Sequence, residues 1–422
     1  MKKTILIGTV VTLGMIWIGM GCEDLDFPDP NSPVVESATV QSLVTGAEAA
    51  LRIDLDIYLR DMCVVGREAY YLEPADPRYT GELLRGPMDP GGFLTTRPWN
   101  AHYKVIKNCN LLLDKATDDK GVEGFAKTIL AYSLLMVINM QDENGARINY
   151  DGDITVPIAT KDEVFAEIKR LLDEAYDDLQ AAGTSFSFTL SSGFSGLDTP
   201  ATFAQFNRAI AARVAVYDDR WQDALDALED SFLDPGGDLD FGAYHVYSSG
   251  LNDQGSEMYE DPTASFIKLM AHPSFAEDAE AGDLRFASKV TVRDTSLPVI
   301  TYDNLTSNLA PTMWSSNYDP IPIIRNEELI LLRAEANIGL GNYATAEADL
   351  NIIRAAAGLS AYSNTDATNA EDRLLYEKRY SLFLEGQRLI DMRHYDRLDE
   401  LPLDRAGDVI VTFPIPETEV PG

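Results

Sequence analysis

The sequence predicts a mainly α-helical fold with long irregular loops and a few short strands. Apolar residues recur at helical spacing along most of the 422-residue chain. The alternation typical of strands is sparse, and the ranges 289–292 and 409–413 are the short candidates. Apolar residues make up 45% of the chain, which is enough for a core and argues against global disorder.

The first 21 residues have the pattern of a secretory signal peptide. Lys2 and Lys3 give a positive start, residues 4–20 are uncharged and mostly apolar, and Gly21 precedes Cys22. This ending resembles a bacterial lipobox, which implies cleavage before Cys22 and fatty acyl chains, palmitate among them, on that residue. A plain membrane-anchor helix is the alternative, although the run is slightly short for a span of about 20 residues.

A flexible leash is expected to follow the signal peptide. Residues 22–40 begin with the lipidated cysteine and continue with many Asp, Pro and Ser residues, a composition that suits an extended tether. Two or more acyl chains hold a protein on a membrane stably where one does not. We therefore expect residues 41–422 to form a domain held at a membrane surface.

Helical stripes fill much of that domain. Thr160 and Glu163 have the spacing of a capping box, and the stripe that they open runs from Val164 to Leu179. Other stripes are recognised by apolar residues three or four positions apart. They include Leu43–Leu51, Tyr103–Leu113, Phe125–Met136, Phe203–Val214, Leu225–Phe232, Leu329–Leu340 and Ala346–Ala357. Trp99 and Trp221 lie on such stripes, which predicts core positions for both.

Two helix pairs repeat one another. Ala212, Trp221, Ala224 and Leu228 match Ala334, Tyr343, Ala346 and Leu350 at one constant offset. An aromatic residue after the turn, followed by alanine, resembles a tetratricopeptide-type hairpin, where small residues let two helices approach closely. We expect hairpins near 203–232 and 327–357. The ranges 66–98 and 234–320 are rich in Gly, Pro, Asp and Tyr and predict irregular segments that carry function.

Composition and charge exclude several classes of function. The chain has 68 acidic and 34 basic residues, a formal charge of −34, which argues against nucleic acid as a partner. A saline habitat is one explanation of the acidity, and steering of cationic ligands is the other. Besides Cys22 the chain has Cys63 and Cys109, which are either buried apolar residues or a disulfide.

Catalytic and cofactor motifs are missing from the sequence. It contains no His-Glu-x-x-His, no Gly-x-x-x-x-Gly-Lys and no cysteine pair at zinc spacing, and its four histidines are far apart. Paired carboxylates are expected by chance in so acidic a chain, so they do not point to a glycosidase. We therefore predict no enzyme activity, no cofactor and no metal site.

Several motifs in order resemble the SusD/RagB family of outer-membrane nutrient-binding lipoproteins. Each motif is short, but together they span nearly the whole chain. They are Trp99–Tyr103 with Ile106 and Asn110, Asp283–Arg285, Ile323–Glu328 with Arg333–Ala336, Leu350–Asn351 with Arg354, Glu377–Arg379, Phe383–Arg388 with Asp391, and Phe413–Glu417. Lys378 and Leu284 replace the family's Arg and Pro, and Leu384 is an additional apolar residue.

The resemblance implies both a fold and a function. It implies one mostly helical domain with four tetratricopeptide-like hairpins and no catalytic activity. It also implies a surface-exposed lipoprotein of the outer membrane that captures glycans, or peptides in some members, and passes them to a TonB-dependent transporter of the SusC type. A periplasmic tetratricopeptide-type adaptor and a helical glycoside hydrolase are the alternatives.

Charged residues in the C-terminal motifs have two interpretations. Glu385, Arg388 and Asp391 are spaced to share a helix face, and Arg325, Glu328 and Glu335 lie in the preceding motif. One interpretation places them at a ligand, whereas the other makes them a partly buried ion network that holds helices together. We favour the ion network.

The ligand candidates lie in the irregular segments. Sugars are bound by aromatic faces together with a few polar side chains that fix the hydroxyl groups. Two groups of residues offer both. They are Tyr70, Tyr71, Asp76, Arg78 and Tyr79 in the first segment, and Trp314, Asn317 and Tyr318 in the second. Packing of each aromatic ring under its own loop is the alternative.

Overall fold

Helices form the framework of the structure, a computed structural model that describes residues 38–115, 118–150, 152–251, 253–363 and 366–420. The predicted signal peptide, Cys22 and most of the predicted leash lie outside the described residues. The α-helices are numbered in chain order. They are α1 (Val40–Ala50), α2 (Leu55–Val65), α3 (Arg78–Arg85), α4 (Phe93–Lys115), α5 (Lys120–Gln141), α6 (Lys161–Ala181), α7 (Pro200–Tyr217), α8 (Trp221–Glu229), α9 (Ser274–Glu277), α10 (Leu284–Lys289), α11 (Asn326–Gly339), α12 (Tyr343–Ala356), α13 (Ala367–Ser381) and α14 (Arg388–His394).

The strands within the described ranges are short and form four antiparallel pairs, namely β1–β3, β2–β8, β4–β7 and β5–β6. Most of them lie in the second irregular segment. They are β1 (Ala69–Tyr71), β2 (Gly242–His245), β3 (Leu269–Ala271), β4 (Val290–Val292), β5 (Ile300–Tyr302), β6 (Leu305–Ser307), β7 (Leu309–Pro311) and β8 (Ile321–Arg325). The predicted mainly α-helical fold with a few short strands is therefore confirmed.

One of the two predicted strands is wrong. Strand β4 confirms the prediction at 289–292, but residues 409–413 are extended and have no partner strand in the part of the chain that the structure describes. The Val409 N–H donates to the Leu84 carbonyl at 2.8 Å, and the Val409 carbonyl accepts from Arg67 at 2.9 Å. A helix end and a buried guanidinium therefore satisfy the backbone N–H and carbonyl of Val409 in place of a partner strand.

The first irregular segment is more ordered than predicted. Residues 66–98 contain β1, α3 and the start of α4. In α3 the residues Tyr79, Thr80, Leu83 and Leu84 are buried on one face, a helical period that the surrounding Gly and Pro residues hid. The Asp76 carboxylate accepts from the Arg78 N–H at 3.2 Å just before this helix.

The predicted helix start at Thr160 is confirmed. The Thr160 side chain accepts from the Glu163 N–H while the Glu163 carboxylate accepts from the Thr160 N–H, which is a complete capping box for α6. Helix α6 packs against α5, most of whose residues are buried. The segment Lys120–Asn144 is apolar and long enough to cross a membrane, but 89% of its most apolar window is buried inside the protein, as in a core helix.

Both predicted hairpins are present, as α7 with α8 and α11 with α12. The two pairs also contact each other, since α11 packs on α7 and α8. At this contact the Trp221 ring lies against Gly339, where an added Cβ would be 2.3 Å from a ring atom. Trp99 is buried as predicted, whereas Trp221 is half-buried because its ring covers the turn of the second hairpin.

The C-terminal motif residues form buried ion pairs, as the favoured interpretation predicts. Their partners lie on other elements of the fold. The pairs are Arg213–Glu328 at 2.6 Å, Arg325–Glu385 at 2.5 Å, Lys378–Glu335 at 2.9 Å and Lys378–Asp391. Among the described residues, Arg388 forms no ion pair with Glu385 or Asp391, although the three residues were expected to share a helix face. Helix α14 begins at Arg388, so Glu385 lies in the preceding turn and off the helix face.

Cys63 on α2 and Cys109 on α4 are fully buried, and neither forms a disulfide within the described residues. The structure therefore supports the interpretation as buried apolar residues over the disulfide.

Candidate functional site

A cleft of about 280 Å³ lies among α2, the end of β1, α3 and the start of α4. This volume is just below the roughly 300–1,000 Å³ common for small-molecule sites. Besides Ile57 and Ala75, three kinds of side chain line it. They are the aromatic Tyr71, Tyr79 and Phe93, the acidic Asp56, Glu73, Asp76 and Glu257, and the basic Arg60 and Arg97. We call this the tyrosine cleft.

Helix α2 supplies the buried side of the tyrosine cleft. Asp56 and Arg60 are one turn apart on this helix and form an ion pair. Every residue of α2 other than Asp56 is buried, and Asp56, Ile57 and Arg60 are the residues of this helix that line the cleft. Strand β1 brings in Tyr71, whose partner across the β1–β3 pair is Leu269.

Arg60 connects the helix to the aromatic rings. Its Nη1 donates to the Tyr71 hydroxyl at 2.9 Å. Its guanidinium carbon lies 4.6 Å from the centre of the Tyr71 ring and 5.8 Å from that of Tyr79, within the range of cation–π attraction. The two tyrosine ring centres are 4.4 Å apart. This packing fixes the orientation of both rings before any ligand arrives.

The carboxyl groups of the cleft differ in electrostatic environment. Burial raises the pKa of Asp56 above its ordinary value, although the Arg60 guanidinium opposes that shift. The hydrogen bonds from Arg78 lower the pKa of the more exposed Asp76. Burial also raises the pKa of both Tyr71 and Tyr79, so their hydroxyl groups stay protonated and able to donate at neutral pH.

Four of the predicted residues of the first segment lie together here. Tyr71, Asp76 and Tyr79 line the cleft, and Arg78 covers its edge with the guanidinium carbon 4.3 Å from the centre of the Phe93 ring. Tyr70 points to the other face of β1, because successive strand residues alternate. Its ring centre lies 4.9 Å from that of His272, outside the cleft.

The predicted residues of the second segment lie elsewhere. Trp314 is only 8% exposed, whereas Tyr318 is 46% exposed, and neither lines the tyrosine cleft. Asn317 approaches it indirectly, since its carbonyl accepts from the Ser256 N–H at 2.7 Å and the next residue, Glu257, lines the cleft. The second segment thus reaches the tyrosine cleft through Glu257 and not through its predicted aromatic rings.

Several cleft residues were not candidates from the sequence, namely Asp56, Arg60, Glu73, Phe93, Arg97 and Glu257. For Arg60 a signal exists, because an arginine within the apolar run of residues 57–65 has to find a partner when the helix is buried. Glu257 gives no such signal, because only the folding of a long loop brings it to the cleft. In the described part of the chain no three His, Cys, Asp or Glu side chains are grouped as metal ligands.

Both the sequence and the fold of this chain are similar to those of one protein family. Residues 301–406 match the sequence model of the SusD family. A comparison with curated protein sequences gives no significant match.

The fold is shared with solved SusD-like structures over most of the chain. A SusD superfamily protein from Bacteroides vulgatus is 16% identical, with a TM-score of 0.67 over 90% of this chain and 96% of that chain. A SusD-like carbohydrate binding protein from the same organism is 18% identical, with a TM-score of 0.63 over 84% of this chain and 83% of that chain. The surface glycan-binding protein A from Bacteroides uniformis is 18% identical, with a TM-score of 0.61 over 85% of this chain and 88% of that chain. The predicted resemblance to the SusD/RagB family is therefore confirmed, since the chain carries the SusD sequence pattern over residues 301–406 and the SusD fold over most of its length.

Proposed function

We propose that this protein is a cell-surface glycan-binding lipoprotein that captures its ligand at the tyrosine cleft. It delivers that ligand to a TonB-dependent, SusC-like outer-membrane transporter and performs no catalysis. The observation that carries the proposal is a preformed aromatic and charged cleft on a fold shared with carbohydrate-binding proteins. A peptide is the second class of ligand that such a cleft can hold.

The lining of the cleft matches the chemistry of a saccharide. Carboxylate oxygens accept hydrogen bonds from sugar hydroxyls, and guanidinium groups donate to hydroxyl and ring oxygens. The half-buried Phe93 ring provides an apolar surface for C–H groups. Because Tyr71 and Tyr79 are held by Arg60, little conformational entropy is lost when a ligand binds.

Substitution of Phe93 tests the assignment of the cleft. We expect Phe93→Ala to weaken binding of any glycan retained by the purified protein by about tenfold, since a ring contact contributes on the order of 1 kcal/mol beyond its buried area. Phe266→Ala is the matched control, because that ring is 46% exposed and lies outside the cleft. A glycan array followed by calorimetry on the best ligand provides the measurement. Equal loss in both variants would remove the cleft from consideration.

Lipidation is tested through Cys22. The Cys22→Ala variant should appear in the soluble fraction after cell lysis, because a signal sequence without its acyl acceptor leaves no stable anchor. Labelled palmitate should enter the native chain and not the variant. A native chain that takes up no palmitate, together with a variant that still sediments with membranes, would contradict the lipoprotein proposal.

The transporter and the alternatives are tested together. Affinity purification of the native chain from mildly solubilised outer membranes should recover a barrel transporter in a stoichiometric amount. Recovery of periplasmic proteins alone, with no glycan binding, would favour the tetratricopeptide-type adaptor. Turnover of a glycan that depends on a specific pair of carboxylates would favour a helical glycoside hydrolase.

A further inference from the structure

We propose that the tyrosine cleft selects neutral or amine-bearing saccharides and rejects those that carry carboxylate, sulfate or phosphate groups. This inference rests on the proposed glycan-binding function and adds the charge class of the ligand. It follows from how the charged side chains in and around the cleft are paired.

Each basic side chain at the cleft already has a carboxylate partner. Arg60 pairs with Asp56 and lies 3.6 Å from Glu257. The other three cations in and around the cleft also have carboxylate partners, although Lys268, which lies 5.5 Å from the centre of the Tyr71 ring, is too far from its carboxylates for hydrogen bonds. These pairs are Arg78–Asp76 at 2.7 Å, Arg97–Asp54, and Lys268 with Glu73 at 3.8 Å and Glu260 at 4.0 Å.

The pairing leaves an excess of negative charge. Six carboxylates, on Asp54, Asp56, Glu73, Asp76, Glu257 and Glu260, face four cations, so the formal charge of the group is −2. Glu257 is the most available of them, because its side chain is 74% exposed and its distance to Arg60 is longer than an ordinary hydrogen bond. The surrounding chain, with a formal charge of −34, adds a field of the same sign.

This arrangement treats three classes of saccharide differently. A neutral sugar donates its hydroxyls to the carboxylates without disturbing any ion pair. An amine-bearing sugar adds a charge-assisted hydrogen bond to the surplus carboxylates. Among the described residues, each arginine at the cleft is paired with a carboxylate. An anionic sugar must therefore either displace a carboxylate from Arg60, Arg78 or Arg97 or accept repulsion from Glu73 and Glu257.

The test uses the full mature protein on an array of matched saccharides. β-1,4-linked glucose hexamers, their amine-bearing glucosamine counterparts and their carboxylate-bearing glucuronate counterparts are printed beside equivalent neutral, amine-bearing and anionic sets on other backbones. We expect binding to a neutral or amine-bearing backbone and at least tenfold weaker binding to its anionic counterpart. Anionic counterparts bound as tightly as their neutral parents would overturn the inference.

Two double variants with the same net charge show whether the charges of the cleft cause the discrimination against anionic saccharides. Glu73→Gln with Glu257→Gln removes two charges at the cleft, whereas Glu229→Gln with Glu277→Gln removes two exposed charges elsewhere. The cleft variant should narrow the discrimination against the anionic saccharide roughly fivefold, and the control should leave it unchanged. Equal effects would show that net charge, and not the cleft, discriminates.

Failure of the proposed function gives a separate result. If no saccharide of any charge binds, the glycan-binding proposal and this inference both fail. If saccharides bind but Phe93→Ala has no more effect than Phe266→Ala, binding occurs outside the cleft and the charge argument is contradicted even though the protein binds glycans.

Discussion

Arg60 illustrates how one side chain serves both the fold and the proposed binding site. It is 3% exposed, pairs with Asp56 on its own helix and positions Tyr71 by a hydrogen bond and a cation–π contact. A guanidinium that is nearly buried persists only with partners, because an unpaired buried charge costs several kcal/mol. The same partners shape the tyrosine cleft, so the requirements of folding and of the site coincide at this residue.

Substitution of Arg60 should separate these two roles. Arg60→Met leaves Asp56 without its partner, so we expect the free energy of unfolding to fall by about 3 kcal/mol. In Arg60→Met with Asp56→Leu the uncompensated carboxylate is gone, and most of that loss should be recovered while glycan binding stays weak. Denaturant unfolding and calorimetry measure the two effects. Recovery of binding together with stability would show that Arg60 acts only through the fold.

Glu68 is a buried carboxyl whose protonation should influence stability. One of its oxygens accepts from the Leu384 N–H at 3.3 Å, and the other has no hydrogen-bond partner among the described residues. Burial raises the pKa of Glu68 from 4.5 to about 7. The folded protein thus binds this proton more tightly than the unfolded chain does.

The sign of the pH effect follows from that difference in proton affinity. The contribution of Glu68 to the free energy of unfolding is greatest below pH 4.5 and falls by roughly 3 kcal/mol as the pH rises to 7. Glu68→Gln should therefore gain stability over the native chain between pH 5 and pH 8. Denaturant unfolding across that range measures the difference in the free energy of unfolding between Glu68→Gln and the native chain. For the exposed control Glu229→Gln, this difference should not change with pH. A difference that also stays constant for Glu68→Gln would contradict the raised pKa.

At the scale of elements, the helix pairs are held by close contacts of small residues. Helix α11 packs on α7 and α8, and Gly339 at its end allows the Trp221 ring to lie directly on the turn. The buried ion pairs Arg213–Glu328 and Arg325–Glu385 connect α7 to α11 and β8 to the turn before α14. The motif residues of the family thus hold the scaffold together, at a distance in sequence from the residues that line the cleft.

Gly339→Ala tests the contact between the hairpins. Helix propensity alone favours alanine by about 1 kcal/mol, but the new methyl group would overlap the Trp221 ring, and overpacking costs about 1–3 kcal/mol. We expect the single variant to be destabilised. In a Trp221→Ala background the same substitution should be neutral or stabilising, and thermal unfolding of the four proteins completes the cycle. Equal effects in both backgrounds would mean that the ring does not constrain this position.

At the scale of the whole molecule, the excess of acidic residues is the main electrostatic feature. A formal charge of −34 creates self-repulsion that a high salt concentration screens, since the Debye length falls from about 10 Å at 0.1 M to about 3 Å at 1 M. Many of the ion pairs are between partly exposed side chains, such as Lys169–Asp173 and Arg170–Glu174, which contribute little to stability. Such pairs therefore offset little of the repulsion.

Salt should raise the thermal stability of the protein. We expect the melting temperature to increase by several degrees between 0.05 M and 1 M NaCl, because screening relieves repulsion that the ion pairs do not offset. Tetramethylammonium chloride at equal ionic strength is the control that separates screening from specific sodium binding. An unchanged or lower melting temperature would favour the other explanation of the acidity, namely steering of cationic ligands to the cleft.

The order and type of most helices, the two hairpins and the capping box at Thr160 were predictable, because helical periodicity and caps are local properties of the chain. The path of the long loops across the fold was not predictable. It brings Glu257 to Arg60 and leaves Trp314 away from Tyr71, although all four residues lie in or near segments with the composition of functional loops. Strand pairing at 409–413 was predicted wrongly because an extended, half-buried segment shows the same alternation whether or not a partner strand is present. Local sequence thus determined the helical scaffold, whereas tertiary packing decided which side chains meet in the tyrosine cleft, since the partners of a buried charge are chosen by distance in space and not along the chain.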